Sequence, residues 1–167
     1  SLAQTPAPAQ PRTFLWKVQS SFPVTDYPHR SLVELAKSIE QMSGGRLKIE
    51  TLPVGAVAGK YEVLDAVNRG ALDGGLTWPG LWAGKNSAAG LFAPGPGGPF
   101  GMDREEYLGW LYSGGGLELY NELLQKLNLN VVGFFAMPMP TQPLGWFKKP
   151  IANAAGLKGL KYRTGGL

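Results

Sequence analysis

The chain has 167 residues, 44% of them hydrophobic, with 24 glycines, 14 prolines, no cysteine, one histidine and a formal net charge of +4. That is enough apolar material for one well-buried core, and the glycine and proline content favours turns and loops over a helical bundle. The lack of cysteine excludes thiol chemistry, disulfides and the usual cysteine/histidine zinc sites. The excess of positive charge is scattered, with Lys148-Lys149 the densest cluster, so no basic stripe of the kind a nucleic-acid surface needs is present.

Residues 1–12 open the chain as an Ala/Pro/Gln-rich stretch. It lacks a basic segment followed by an apolar one, so no intact signal peptide is read there; the composition suits a flexible leader on a mature exported protein, and equally a linker. Phe14 to Ser20, rich in aromatic and β-branched residues, reads as a first strand. A loop from Pro23 to Pro28 leads into a helix, since proline is tolerated in the first turn, and Leu32, Leu35, Ala36 and Ile39 recur at helical spacing. Ser43-Gly44-Gly45 is its stop signal. Arg46 to Leu52 alternates polar and apolar residues and reads as a second strand; a short helix carrying Tyr61, Leu64 and Val67 follows and ends before Gly70. Leu72 to Trp78 reads as a third strand weakened by Gly74 and Gly75. Strand, helix, strand, helix, strand in that order predicts an α/β layer with parallel pairing.

Pro79 to Gly101 is a long glycine- and proline-rich loop of the kind that is often functional or mobile. Asp103 with Glu106 three residues on is a capping-box pattern, with aspartate in place of serine or threonine. A second helix carries Tyr120, Leu123, Leu124 and Leu127. Residues 129–136 read as a buried strand and residues 141–147 as another, with a change of composition at Met137-Pro138-Met139-Pro140 between them. No apolar run approaches the length of a membrane span.

Catalytic signals are sparse. A nucleophilic triad needs a histidine base, and His29 is the sole candidate; there is no Gly-x-Ser-x-Gly elbow, and His29 at a helix start reads as a surface or capping residue. Gly95-Pro96-Gly97-Gly98-Pro99 lacks the Gly-Lys-Ser/Thr ending of a phosphate loop, and its prolines remove backbone donors. Glu105-Glu106 sits in a helix's first turn, where negative charge complements the dipole, and Glu118 and Glu122 lie on a solvated helix face. Neither pair reads as two facing carboxyls in a cleft.

Two residues near the end of the chain have a different character. Gln142, between Pro140 and Pro143 and followed by Trp146 and Phe147, supplies a fixed amide beside apolar walls, a combination suited to a small pocket with few polar groups. Satisfying backbone groups at the crossover is the plainer alternative for that glutamine. Arg163 ends a short apolar segment and offers a planar fork of donors that fits a carboxylate, although arginines are mostly surface ion-pair residues.

Larger patterns join these residues. Leu15-Trp16-Lys17-Val18-Gln19 opens the strand-helix-strand unit; Ala66-Val67-Asn68-Arg69-Gly70-Ala71-Leu72-Asp73-Gly74-Gly75 is a helix end followed by a glycine-bearing strand. Pro99-Phe100-Gly101 comes next, and Leu157-Lys158-Gly159-Leu160-Lys161-Tyr162-Arg163 with a following glycine is the most specific mark. In these the chain resembles the solute-binding proteins of TRAP transporters (the DctP type). Pro140-Thr141-Gln142-Pro143-Leu144-Gly145-Trp146-Phe147 is most similar to their α-keto-acid-binding members.

The resemblance implies a periplasmic-binding-protein-like α/β fold, with residues 13–137 as domain I and 138–167 as the crossover and start of a domain II. It implies capture of a small 2-oxo or 2-hydroxy monocarboxylate outside the cytoplasm for a membrane-embedded TRAP permease, with no bond made or broken. Arg163 becomes the carboxylate anchor, Gln142 a contact to substrate and to a sodium ion, and Trp146, Trp78 and Trp82 the aromatic walls. Members run about twice this length, as two domains of ordinary size would, so the remaining cation ligands and the helix used in homodimers are expected outside the chain. An α/β hydrolase or lyase acting on a small carboxylate is the alternative.

Overall fold

A computed structural model describes residues 12–93, 101–137, 139 and 143–161. The chain divides into two compact units, Ser1–Thr77 and Trp78–Leu167.

In the first unit β1 (Phe14–Ser20), α1 (Tyr27–Met42), β2 (Leu47–Leu52), α2 (Val63–Asn68) and β3 (Gly74–Leu76) alternate along the chain. The strands form one sheet in the order β2-β1-β3. Both pairings are parallel, running from Phe14 opposite Leu47 to Gln19 opposite Leu52, and from Val18 opposite Gly74 to Ser20 opposite Leu76. Parallel neighbours need crossover connections, and α1 and α2 are those crossovers.

Helix α1 starts where the sequence predicts, after an extended Asp26 and with Pro28 in its first turn. It stops at Ser43, whose hydroxyl donates to the Glu40 carbonyl and accepts from Leu47 N, both at 3.0 Å. Gly44 (φ 61°) and Gly45 (φ 76°) then take the left-handed backbone that turns the chain into β2. The buried stripe is His29, Leu32 and Ala36. Leu35, expected in that stripe, is 52% exposed; the stripe runs i, i+3, i+7 from His29, and Leu35 falls just beyond its edge.

Val63, Ala66 and Leu72 form a small apolar core, with Leu52, Ala58 and Val67 packed against it. Tyr61, expected on this helix, precedes it and is 60% exposed. Strand β3 is three residues long, shorter than the seven-residue reading. Its glycines allow close approach of α2: a Cβ at Gly75 would lie 2.6 Å from Val63 Cγ1 and 3.1 Å from Val67 Cγ2.

The second unit holds 3-10 turns at Pro79–Trp82, Ser87–Phe92 and Ala154–Leu157, and two helices, α3 (Arg104–Ser113) and α4 (Gly116–Lys126). The predicted capping box is formed in full: Asp103 Oδ1 accepts from Glu106 N at 2.8 Å, and Glu106 Oε2 accepts from Asp103 N at 2.9 Å. Aromatic rings hold this unit together. Phe92 sits 5.6 Å from Trp110 and 5.1 Å from Tyr120, and Tyr107 lies 5.6 Å from Trp110 and 6.1 Å from Phe135. The Tyr107 hydroxyl donates to the Phe92 carbonyl at 3.1 Å.

Residues 129–136 correct the strand expected there. They carry the two-residue alternation of a strand, with Val132 72% and Phe134 83% exposed between half-buried neighbours. They join no ladder among the described residues: Gly133 N donates instead to Asn121 Oδ1 at 3.2 Å, and a Cβ at Gly133 would clash with the Tyr120 ring. A period of two specifies a face and not a neighbour, and here the inner face packs on helices. Residues 143–147 likewise form no strand, and residues 141 and 142 lie outside the described residues.

Two expected outcomes follow from this packing. Gly75→Ala forces a methyl into Val63 and should lower unfolding free energy in urea by about 1–3 kcal/mol, as overpacking does; an unchanged midpoint would contradict the close α2–β3 approach. Burial raises the Tyr107 and Tyr120 phenols from 10.0 to about 12, for Tyr120 with help from neighbouring Tyr107. Because the folded values lie above the unfolded one, this contribution to stability is complete below pH 10 and fades between pH 10 and about 12. Phenolate absorbance should therefore show two tyrosines ionising late and together with unfolding.

Candidate functional site at the carboxyl edge of the sheet

Because all three strands run parallel, their carboxyl ends share one edge. The chain leaves central β1 for β2 on one side and returns to β3 on the other, so the topological switch point lies between β1 and β3, where open α/β sheets hold ligands. The sequence places Gln19-Ser20-Ser21 at that point, all 0% exposed. Three consecutive buried polar side chains each need hydrogen-bond partners, and each finds them in a different segment.

Gln19 clamps the loop before α2. Its Oε1 accepts from Val57 N at 2.8 Å and Ala58 N at 3.0 Å, and its Nε2 donates to the Ala58 carbonyl at 2.7 Å. Ser20 closes the turn after β1, donating to the Phe22 carbonyl at 2.8 Å and accepting from Phe22 N at 3.1 Å. Ser21 bridges to the end of β3: its N donates to the Leu76 carbonyl at 2.8 Å, and its Oγ donates to Thr77 Oγ1 at 3.1 Å.

His29 corrects the expectation of a surface or capping residue. It is buried, at 5% exposure, with Nδ1 3.0 Å from Ser20 Oγ. The same hydroxyl lies within hydrogen-bond distance of the Phe22 carbonyl and Phe22 N, so Ser20 ties the turn after β1 to the start of α1.

Two of the carboxylates, Glu106 and Glu122, are likewise engaged in structure. Glu106 serves the capping box. Glu122 pairs with Lys126 at 2.7 Å on an exposed face, and that hydrogen bond and charge lower its carboxyl below the ordinary value.

Of the residues singled out from sequence, Gln142 and Arg163 lie outside the described residues. Trp78, half-buried, follows β3 by two residues, and Trp82 ends the 3-10 turn that Trp78 precedes. Trp82 is 2% exposed with its ring 6.3 Å from Tyr120. Both indole N–H groups are buried without an acceptor among the described residues. Trp146 is 93% exposed. Among the described residues no group of three or more His, Cys, Asp or Glu is placed to hold a metal ion. Ser21 and Thr77 were missed by sequence reasoning. The signal was present in Gln19-Ser20-Ser21, a polar run closing an apolar strand.

An open parallel α/β layer with a polar carboxyl edge is the architecture of proteins that hold small ligands at that edge. Residues 19–166 match the model of the bacterial extracellular solute-binding protein family 7, DctP, and the chain belongs to that family. It is 36% identical over 152 residues to the monocarboxylate 2-oxoacid-binding periplasmic protein of Nostoc sp., covering 91% of this chain and 40% of that one. A crystal structure of a TRAP transporter solute binding protein from Bordetella bronchiseptica RB50 is similar at a TM-score of 0.79 and 30% identity, over 93% of this chain and 45% of that one. That protein is a mixed occupancy dimer with copurified calcium and picolinate in its active site. A TRAP periplasmic solute binding protein from Pseudoalteromonas atlantica T6c, with bound sodium and pyruvate, is similar at a TM-score of 0.74 and 27% identity, over 93% of this chain and 46% of that one. The chain thus spans less than half the length of each of these relatives.

Ser20→Ala tests the polar edge. It removes the side-chain partner of Phe22 N and of His29 Nδ1, and leaving a buried polar group unpaired costs about 1–3 kcal/mol. Urea denaturation should show a loss in that range, and an unaltered midpoint would remove the pair from its structural role.

Proposed function

We propose that the chain carries the ligand-capturing part of a solute-binding protein for small 2-oxo or 2-hydroxy monocarboxylates such as pyruvate. The observation that carries this reading is the similarity to the Nostoc 2-oxoacid-binding protein over 91% of the chain, extending across the Gln142 segment and toward Arg163. The pyruvate bound by the Pseudoalteromonas relative supports the same ligand class.

In this reading Arg163 takes the carboxylate in two parallel hydrogen bonds, and Gln142 holds the ligand and a sodium ion beside it. The sodium or calcium found in relatives supports the ion. Trp78 and Trp146 wall the cleft, and Trp82 supports the turn beneath Trp78. Residues 13–137 are the first domain and 138–167 the crossover and the start of a second. Closure of the domains about the crossovers is the functional motion.

The periplasmic name of the Nostoc relative supports a location outside the cytoplasm, with delivery to a membrane-embedded TRAP permease. No described helix is long and apolar enough to cross a membrane. The Bordetella dimer supports a homodimer for the longer form. No bond is made or broken: Ser20 and His29 serve the fold, and the hydrolase or lyase alternative gains no observation in its favour.

Calorimetric titration with pyruvate tests the anchor. Arg163→Ala should weaken binding by on the order of 2–5 kcal/mol, the cost of truncating one partner of a buried charged pair. Undiminished affinity would remove Arg163 from the site, and turnover of the acid would replace the binder with an enzyme.

A further inference from the structure

Residues 129–137 alternate half-buried and exposed side chains without a break, in backbone that joins no ladder among the described residues. The inner row packs on the helices of its own unit, Gly133 over the Tyr120 ring and Phe135 6.1 Å from Tyr107. The outer row holds Val132, 72% exposed, and Phe134, 83% exposed. In an extended segment the backbone groups of successive residues point to opposite edges. One edge is engaged at Gly133, whose N donates to Asn121 Oδ1 at 3.2 Å. Val132 and Phe134 turn their backbone groups to the other edge and make no backbone hydrogen bond among the described residues.

Edges of this kind are ordinarily blunted by charged side chains, proline or a bulge. Residues 129–137 hold no charged residue and no proline. The order of residues points to what pairs there. Val131-Val132-Gly133-Phe134-Phe135 is two β-branched residues, a glycine and two aromatics. Laid antiparallel on a second copy of itself about Gly133, it sets Val132 against the partner's Phe134 and Val131 against the partner's Phe135, each pair occurring twice. Aromatic and β-branched residues are favoured cross-strand neighbours, and no like charges oppose one another. In that register Val132 and Phe134 form the hydrogen-bonded pairs, through the backbone groups at the free edge. Gly133 falls in the non-hydrogen-bonded pair, so its N–H stays with Asn121.

We propose that residues 129–137 are the interface of a two-fold dimer of this chain, built by antiparallel pairing of the segment with itself about Gly133. The proposal goes beyond the proposed function and does not depend on it, since no ligand takes part. A two-fold contact uses the same patch on both copies, and with the other edge engaged at Gly133 it closes at two.

The experiment is sedimentation equilibrium of the chain together with disulfide trapping, which is clean because the chain has no cysteine. Wild type should be a dimer that dissociates on dilution. Val132→Lys combined with Phe134→Lys sets lysine against lysine at exposed positions and should weaken dimerisation at least about tenfold with unchanged circular dichroism. Val132→Ile combined with Phe134→Tyr keeps the pair types and should stay within about threefold of wild type. Oxidising a mixture of Val132→Cys and Phe134→Cys chains should link unlike chains in excess of like ones. Opposed residues of a hydrogen-bonded pair have Cα atoms about 5.5 Å apart, within disulfide reach, whereas diagonal neighbours lie about 7–8 Å apart. A monomeric wild type, an assembly larger than two, a dimer indifferent to the lysine pair, or no excess of unlike links each overturns the proposal. So does Trp146→Ser dissociating the dimer as strongly as the lysine pair, which would assign association to exposed apolar surface outside the segment.

Discussion

The fold of the first unit depends on satisfying a buried polar run at the carboxyl end of its central strand. Parallel pairing on both sides of β1 leaves Gln19, Ser20 and Ser21 no access to water. An unpaired buried donor or acceptor costs about 1–3 kcal/mol against a total stability of only about 5–15 kcal/mol. Each side chain therefore fixes the segment that satisfies it: Gln19 the loop at Val57 and Ala58, Ser20 the turn at Phe22 and the start of α1 at His29, Ser21 the end of β3 at Thr77. The apolar core beneath is small, centred on Val63, Ala66 and Leu72. Burial supplies the driving force there, and the polar edge sets the loop geometry.

Much of this unit was legible because its local signals agree. β1 follows from its aromatic and β-branched run, α1 from Pro28, its apolar spacing and the Ser43-Gly44-Gly45 stop, and β2 from alternation. The legible part ends where a residue's state depends on what lies opposite it. Leu35 and His29 exchange expected places because the stripe of α1 is set by the sheet beneath, which a helical period cannot orient. Residues 129–136 have a strand's alternation and no ladder, since a ladder requires another segment. Ser21 and Thr77 are 56 residues apart and meet through the pairing of β1 with β3. Arg163 and Gln142 were read from their motifs alone, and both lie outside the described residues.

The second unit is assembled differently. Several of its polar side chains are used locally, Asp103 and Glu106 by the capping box and Asn86 by Ala88 N at 2.9 Å, while Asn121 and Tyr107 reach further, to Gly133 N and the Phe92 carbonyl. Aromatic rings around Phe92 add to that cohesion, tying the 3-10 turn at Ser87–Phe92 to α3 and α4. Offset and tilted ring pairs add about 0.5–1.5 kcal/mol each beyond area burial, so a few of them can fix a turn that has no ladder. That arrangement accounts for the buried phenols of Tyr107 and Tyr120. It also leaves two indole donors, on Trp78 and Trp82, without acceptors among the described residues.

The two hydroxyl contacts at the sheet edge tie β1 to different segments. Ser20 reaches Phe22 and His29, joining the strand's end to the following turn and to the start of α1. Ser21 reaches Thr77, joining the same end to the residue that follows β3. Because both serines are fully buried, each must find its partner inside the fold. A single polar run therefore holds a helix start on one side and a neighbouring strand on the other.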